Sequence, residues 1–263
     1  MASSFIAGKR SIISDGWIPK YRKILTALFD AHTASLANDM LDNNALEYDE
    51  SKLEKDLYDG QVGICVAMAV DGFELTQLET GKSASVLGMQ SKLFAFGVEE
   101  VDEFLAMKMR PSVGVWLRRM VKSEARFHID RLTRIMKKVQ RTDTTIAEIA
   151  RKLRAESIAT SKWHAEMIAR SSTIWNYNEG ARLSYKDAGA TSQTWMTAQD
   201  DLTCDWCMGM DGVEVPIDES FIPRNTNYEI ENEDGKTETM KLSDTVEHPP
   251  LHPNCRCAII GNI

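Results

Sequence analysis

The sequence has 263 residues, 43% of them hydrophobic and 27% charged, which is ordinary for a globular protein of one large or two modest domains. Its formal net charge of −8 argues against a general nucleic-acid coat, although this charge averages over unlike segments. No run of eighteen apolar residues exists, so we expect no membrane span, and the first residues lack the apolar core of a signal peptide. We therefore expect a chain folded in a reducing cytoplasm, where paired cysteines indicate metal ligands or redox groups before disulfides.

The N-terminal part of the chain favours helices, but its pattern is only partly readable. A helix is expected at residues 19–41, because Pro19 suits a helix start. Another helix is expected at residues 98–110, ending before Pro111. Residues 58–88 are interrupted by glycines and carry no assignment.

Residues 112–140 predict an amphipathic helix. Its apolar stripe recurs at spacings of three and four and consists of Leu117, Val121, Ala125, His128, Leu132, Ile135 and Val139. The opposite face carries the basic residues Arg119, Lys122, Arg126, Lys137 and Arg141. The simpler interpretation of this basic face is a solvated helix surface, and the alternative is a contact for a polyanion or an acidic partner protein. Because His128 lies on the apolar stripe, we expect a core histidine and not a ligand.

Two further helices are expected before the cysteines. Thr144 or Thr145 can cap residues 146–157, with Glu148 completing a capping box. Residues 161–189 predict the next helix, and the glycine at its last position is a natural C-terminal stop.

Strand signals follow these helices. Residues 191–201 are rich in β-branched side chains and predict a strand that leads into the first cysteine pair. Residues 226–247 alternate apolar and polar side chains around Asp234 and Gly235, a strong hairpin turn signal. This segment holds seven acidic residues against two lysines, so we expect a solvent-exposed hairpin inserted between the two cysteine pairs.

Four of the five cysteines fall in two short clusters, and the candidate metal ligands are Cys204, Cys207, His252, Cys255 and Cys257. Tetrahedral zinc takes four such ligands, usually as two pairs from separate segments. The simplest set joins the pair Cys204 and Cys207 to the pair His252 and Cys255, each with two intervening residues. Cys257 substitutes if strand alternation turns Cys255 away, and His248 is a remoter candidate.

Other interpretations of the cysteines compete with structural zinc. A disulfide clamp needs a late oxidising environment. A thioredoxin-like redox pair should open a helix after a strand, whereas residues 208–212 predict a turn. The cysteines can also pack as small apolar groups, and Cys65, which is alone in an apolar run, is expected to do so.

No catalytic motif is present elsewhere in the sequence. The chain lacks a phosphate-binding loop, a His-Glu-x-x-His zinc motif and a Gly-x-Ser-x-Gly elbow. Asp200 and Asp201 are best interpreted as a turn and cap beside the cysteines. We therefore expect no enzymatic activity and no small-molecule substrate.

These motifs together resemble the C-terminal domain of the phage head-morphogenesis family, the Mu F-like minor head proteins. The resemblance is carried by residues 195–212 (WMTAQDDLTCDWCMGMDG) and residues 248–257 (HPPLHPNCRC). The preceding helix is also similar, at residues 168–170 and 177–189. The similarity covers roughly residues 145–263 and is specific in order and spacing.

The resemblance implies a minor capsid protein of a tailed phage, made in the host cytoplasm and located inside the head at the portal vertex. Its implied partner is the portal protein, with packaged DNA or other head proteins as further contacts, and its implied work is head assembly and DNA delivery. The leading alternative is a nucleic-acid-binding protein with a zinc knuckle and a basic helix.

The predicted fold is α+β. Residues 1–142 form a largely helical N-terminal region for contact with the portal or another partner. Residues 143–263 form a small α+β domain with a structural zinc clamp and an inserted β-hairpin.

Overall fold

The structure is a computed structural model that describes residues 2–43, 49–80, 103–139, 145–231 and 235–263. Four long helices come first, α1 (Ala2–Asn43), α2 (Glu50–Glu79), α3 (Glu103–Val139) and α4 (Ile146–Ala188). The smaller elements follow in the order β1 (Ser192–Met196), α5 (Asp205–Met208), β2 (Glu214–Pro216), β3 (Thr226–Glu231), β4 (Thr237–Leu242) and β5 (Ala258–Asn262). This order confirms the predicted α+β fold, with a helical N-terminal region ahead of a small β region.

The prolines do not mark helix boundaries where the sequence predicts, with a helix beginning at Pro19 and another ending before Pro111. Pro19 lies inside α1, and Pro111 lies inside α3, where a break between two helices is expected. Both predicted boundaries are wrong, as is the division of α4 into two helices. A proline costs a helix interior about 3 kcal/mol, but burying a side chain such as Met109 or Val113 gains about 1.5–3 kcal/mol and offsets that cost. Residues 98–102 lie outside the described residues.

The ends of α4 confirm the predicted caps. The Thr145 N–H donates to a Glu148 carboxylate oxygen at 3.0 Å, and the Glu148 N–H donates to the Thr145 hydroxyl at 3.3 Å. Thr144, the alternative cap, lies outside the described residues. Gly189 follows the helix with φ of 86°, a conformation that glycine adopts without strain, and its N–H donates to the carbonyl of Lys186.

The predicted apolar stripe of α3 is buried. Its buried members are Leu117, Val121, Ala125, His128, Leu132 and Ile135. The side chain of Val139, the remaining member, is not among those that the structure describes. The His128 ring stacks on the Phe29 ring of α1, with centroids 4.8 Å apart, and burial lowers the pKa of His128 to about 3. His128 is therefore a neutral core histidine, as predicted.

The chain forms two compact units. The first consists of Met1–Trp17, Cys65–Arg110 and Arg170–Ile263, and the second of Ile18–Ile64 and Pro111–Ala169. The boundary predicted between residues 142 and 143 stays a prediction. Within the described ranges, no helix combines the length and the apolar character needed to cross a membrane.

Helices α2 and α4 approach each other closely within the first unit. The glycines that interrupt residues 58–88 in the sequence include Gly72, which lies at this close approach. A Cβ on Gly180 would lie 1.9 Å from the Ala69 carbonyl oxygen, and one on Gly72 would lie 2.5 Å from the Tyr177 carbonyl oxygen. Both glycines therefore allow two helix backbones to touch. Residues 58–79 belong to α2, and residues 81–88 lie outside the described residues.

Replacing Gly180 by alanine is expected to destabilise the protein by roughly 3 kcal/mol, because the added methyl group meets backbone that cannot rotate away. Urea unfolding followed by circular dichroism measures this loss. Gly16→Ala is the matched control, since nothing lies within 4 Å of its Cβ position, and it should be neutral or slightly stabilising. Equal stability of the two variants would show that the two helices do not approach this closely.

Strand β1 is the centre of a three-stranded antiparallel sheet with the order β2-β1-β5. Trp195 of β1 pairs with Ile259 of β5, and both side chains are fully buried. The sheet therefore joins the segment before the first cysteine pair to the segment after the second pair. It places the two halves of the predicted clamp side by side.

The predicted hairpin is formed by β3 and β4. Tyr228 pairs with Met240 across it, and the outer face is exposed. Gly235 has φ of 72°, which suits a tight turn, whereas Asp234 lies outside the described residues. The hairpin thus lies between the two cysteine clusters in the chain, as predicted.

Candidate metal centre

The first cysteine pair is held by a short turn after β1. Asp200 organises this turn, because its carboxylate accepts the Leu202 N–H at 3.0 Å. Cys204 is the extended residue before α5, and its carbonyl accepts the Met208 N–H at 2.9 Å. One helical turn therefore separates Cys204 from Cys207, which places both sulfurs on the same side.

The second segment carries three donors. The Cys255 N–H donates to the His252 carbonyl at 3.2 Å, which forms a turn between these residues. Cys255 and Cys257 are both buried and both lie close to Cys207. Cys255 is not turned away, because its sulfur lies 3.7 Å from the Cys207 sulfur.

The five donors form two overlapping groups that share Cys207. In the first group, the His252 Nε2 lies 3.0 Å from the Cys204 sulfur and 3.1 Å from the Cys207 sulfur. The second group is Cys207, Cys255 and Cys257, with 3.7 Å between the first two sulfurs. Thiolates bound to one tetrahedral zinc ion at about 2.3 Å lie about 3.8 Å apart, which matches this separation.

A small cavity of about 20 Å³ lies among these residues, and all five donors line it. This volume is enough for one water-sized sphere, and therefore for one ion. The cluster could therefore bind a metal ion, in line with the metal site that the sequence predicts.

The ring of His252 is oriented as a metal ligand requires. Its Nδ1–H donates to the Pro253 carbonyl at 2.8 Å, so the lone pair is on Nε2, the atom that faces Cys204 and Cys207. Ligating histidines commonly donate their second ring N–H to a backbone carbonyl in this way. The backbone therefore fixes the tautomer and the ring plane.

The buried thiols share their protons unevenly. The pKa of Cys255 is lowered to about 3, because the thiols of Cys207 and Cys257 donate hydrogen bonds to its thiolate. The pKa of Cys207 is raised, because its proton is held in the hydrogen bond to Cys255. Thiolates this close repel one another, so a cation that replaces their protons would stabilise the arrangement.

Apolar residues pack against the buried cysteines of the cluster. Fully buried Trp195 is one of them, together with the buried residues Met210, Ile222, Val246 and Leu251. Apolar packing of this kind lowers the local dielectric constant, which strengthens metal–thiolate interaction.

His248 belongs to a different, buried charge network. Its Nε2 lies 3.3 Å from a carboxylate oxygen of Glu179 on α4, and its Nδ1–H donates to the Pro249 carbonyl. Arg182 also pairs with Glu179 at 3.0 Å. No sequence motif marks Glu179, because a glutamate on a helix is usually exposed.

Asp200 and Arg256 join the two cysteine segments. Both guanidinium terminal nitrogens of Arg256 contact the two carboxylate oxygens of Asp200, one pair at 2.6 Å. The Arg256 hydrogen bonds hold the pKa of Asp200 at about 2. Because Arg256 lies between Cys255 and Cys257, this ion pair positions both sulfurs against the first cysteine pair.

Replacing Asp200 by asparagine is expected to weaken metal binding about tenfold to hundredfold, as is usual for groups that orient ligands. Competition with a chromophoric chelator measures the affinity for zinc, and the cobalt(II) absorption spectrum reports the ligand set. Asp218→Asn is the control, since Asp218 forms an exposed ion pair with Lys186 in the same unit. Equal affinities in both variants would contradict a positioning role.

The predicted basic face of α3 is exposed. Its described members are Arg119, Lys122, Arg126 and Lys137. Arg141 lies outside the described residues. A role for this face in binding stays a prediction.

These features define a small structural domain that is closed by a cysteine and histidine cluster able to hold a metal ion. Residues 132–260 match the family described as Phage Mu protein F like protein. This match confirms the resemblance predicted for roughly residues 145–263. No curated protein and no solved structure matches the chain.

The family is one of structural phage head proteins. It implies location in the virion and interaction with other head proteins. A structural role of this kind fits a protein without enzymatic activity.

Proposed function

We propose that the protein is a non-enzymatic minor capsid protein of a tailed phage, associated with the portal protein inside the head. There it acts in head assembly and DNA delivery. The family match over residues 132–260 carries this proposal. The cluster supports a structural role, because its cavity has room for one ion and none for a substrate.

The metal in this proposal is structural zinc. Its ligands are Cys204, Cys207, His252 and Cys255, with Cys257 as the alternative fourth ligand. The separation of 3.7 Å between two sulfurs and the His252 tautomer support this set. Zinc supplies folding free energy by binding ligands that only the folded chain brings together.

The proposed contact with the portal protein or packaged DNA is the basic face of α3, formed by Arg119, Lys122, Arg126, Lys137 and Arg141. The described members are exposed, and residues 108–141 carry eleven basic residues against two acidic ones. A surface with this charge attracts polyanions and acidic protein surfaces. The same face supports the second candidate function, a nucleic-acid-binding protein with a zinc knuckle.

Co-expression with the portal protein of the same phage tests the proposal. The full chain should sediment with portal rings, and charge reversal on the basic face should reduce the bound amount at least tenfold. The test variant is R119E/K122E/R126E, and the charge-matched control in the same unit is K23E/K52E/K55E.

Duplex DNA is the second probe for the same variants. The nucleic-acid function would be favoured if the unmodified chain bound DNA in a salt-dependent way but did not sediment with portal rings, and if only the test variant lost DNA binding. Failure of both assays would overturn the assignment of the basic face.

A further inference from the structure

A cleft lies beside the metal centre, between α5 and the hairpin strand β3. Its volume is about 430 Å³, within the size range of ligand sites. Its walls come from two chain segments, with Asp205, Met208 and Gly209 on one side and residues 228–231 on the other, so the cleft is a groove. A groove of this form suits an extended segment.

The floor of the cleft is apolar. Met208 is 48% exposed there, and Tyr228 and Ile230 are half-buried beside it. Gly209 lets the hairpin pack closely, because a Cβ at this position would lie 2.6 Å from the Tyr228 hydroxyl oxygen. An exposed methionine over an apolar floor adapts readily to different apolar side chains.

The rim of the cleft is acidic. Asp205, Glu229 and Glu231 are exposed, and no lysine or arginine is among the lining residues. In the described part of the chain, these three side chains make no ion pair or hydrogen bond. An occupant with apolar side chains and cationic groups therefore complements both the floor and the rim.

We propose that this cleft docks a basic peptide segment of a partner protein, one that places an apolar side chain on Met208 and a lysine or arginine against the rim. Tyr228 ties the cleft to the cysteine segment, because its hydroxyl donates to the Trp206 carbonyl at 3.2 Å. The cysteine segment and the hairpin are thus connected walls of one cleft. The cleft is distinct from the basic face of α3, and the proposal does not depend on portal binding.

Methyl NMR of the full chain, labelled at methionine and saturated with zinc, tests the proposal. The probes are the peptide acetyl-Leu-Lys-Leu-Arg-Leu-amide and its acidic counterpart, acetyl-Leu-Glu-Leu-Glu-Leu-amide. We expect the basic peptide to shift the Met208 methyl resonance, identified by its loss in Met208→Leu, and the acidic peptide to leave it unchanged. Equal shifts from both peptides, or none from the basic one, would overturn the proposal.

Charge variants separate docking from general attraction to an acidic protein. E229K/E231K should weaken binding of the basic peptide at least tenfold. The control E219K/D244K has the same charge change at exposed residues outside the cleft and should change affinity less than threefold. Equal weakening in both would contradict docking in the cleft.

A parallel titration after metal removal separates this proposal from the zinc proposal. Binding that persists without metal supports docking and shows that the hairpin alone maintains the cleft. Binding lost only without metal also supports docking and shows that the centre holds α5 in place. Absence of binding in both states overturns docking and leaves the zinc proposal to its own test.

Discussion

Replacing Cys207 by serine is expected to abolish metal binding and to destabilise the C-terminal β region by more than about 3 kcal/mol, because metal loss is among the most disruptive single changes. Cys207 is the residue that both donor groups share, so no remaining set of the described donors replaces it. The zinc content measured by elemental analysis should fall from one ion per chain to none. Urea unfolding of the metal-loaded proteins measures the stability loss.

Cys65→Ala is the control for this experiment. Cys65 is fully buried in α2 and lies in neither donor group of the described residues, so its replacement lowers stability without changing the zinc content. Full zinc content in Cys207→Ser would refute the proposed centre. The single variants Cys255→Ser and Cys257→Ser then identify the fourth ligand, because only loss of a ligand changes the cobalt(II) spectrum strongly.

Replacing Glu179 by alanine is expected to destabilise the protein by about 3–5 kcal/mol, the usual effect of removing one partner of a buried ion pair, here the pair with Arg182. The Glu179 side chain is 1% exposed and lies against His248 and Arg182. Chemical denaturation at pH 7 measures the loss. Glu166→Ala is the matched control on the same helix, since its ion pair with Arg22 is exposed and contributes under about 1 kcal/mol.

The same carboxylate predicts a dependence of stability on pH. Burial alone raises the pKa of Glu179, but hydrogen bonds and charge from His248 and Arg182 outweigh burial and hold it at about 2. Because this pKa is below the unfolded value of about 4.5, the stabilisation is present above pH 4.5 and is lost as the pH falls towards 2. Glu179→Gln should flatten the stability curve in this window. An unchanged curve would show that other groups cause the acid sensitivity.

Local patterns made several elements predictable. The capping box of Thr145 and Glu148 needs only residues three apart, and the hairpin needs only alternation around a turn. The apolar stripe of α3 follows from helical periodicity alone. These features depend on neighbours within one or two turns of chain.

Helix continuity was not predictable in the same way. Proline at positions 19 and 111 carries a local cost that the sequence displays, but the compensating gain comes from the burial of nearby side chains, which is a tertiary property. Gly72 of α2 and Gly180 of α4 also carry a local cost in a helix. Their role is tertiary, because each allows the backbone of the other helix to come close.

The sequence by itself determined the donor residues of the centre and their grouping into two short segments, because ligand spacing within a turn is a local property. Only the tertiary structure decided that Cys207 is shared by both groups, that His252 faces the sulfurs through Nε2, and that His248 pairs with Glu179 instead. These choices depend on which distant segments the sheet and helix packing bring together. The contacts between such distant segments are not encoded in the spacing of neighbouring residues.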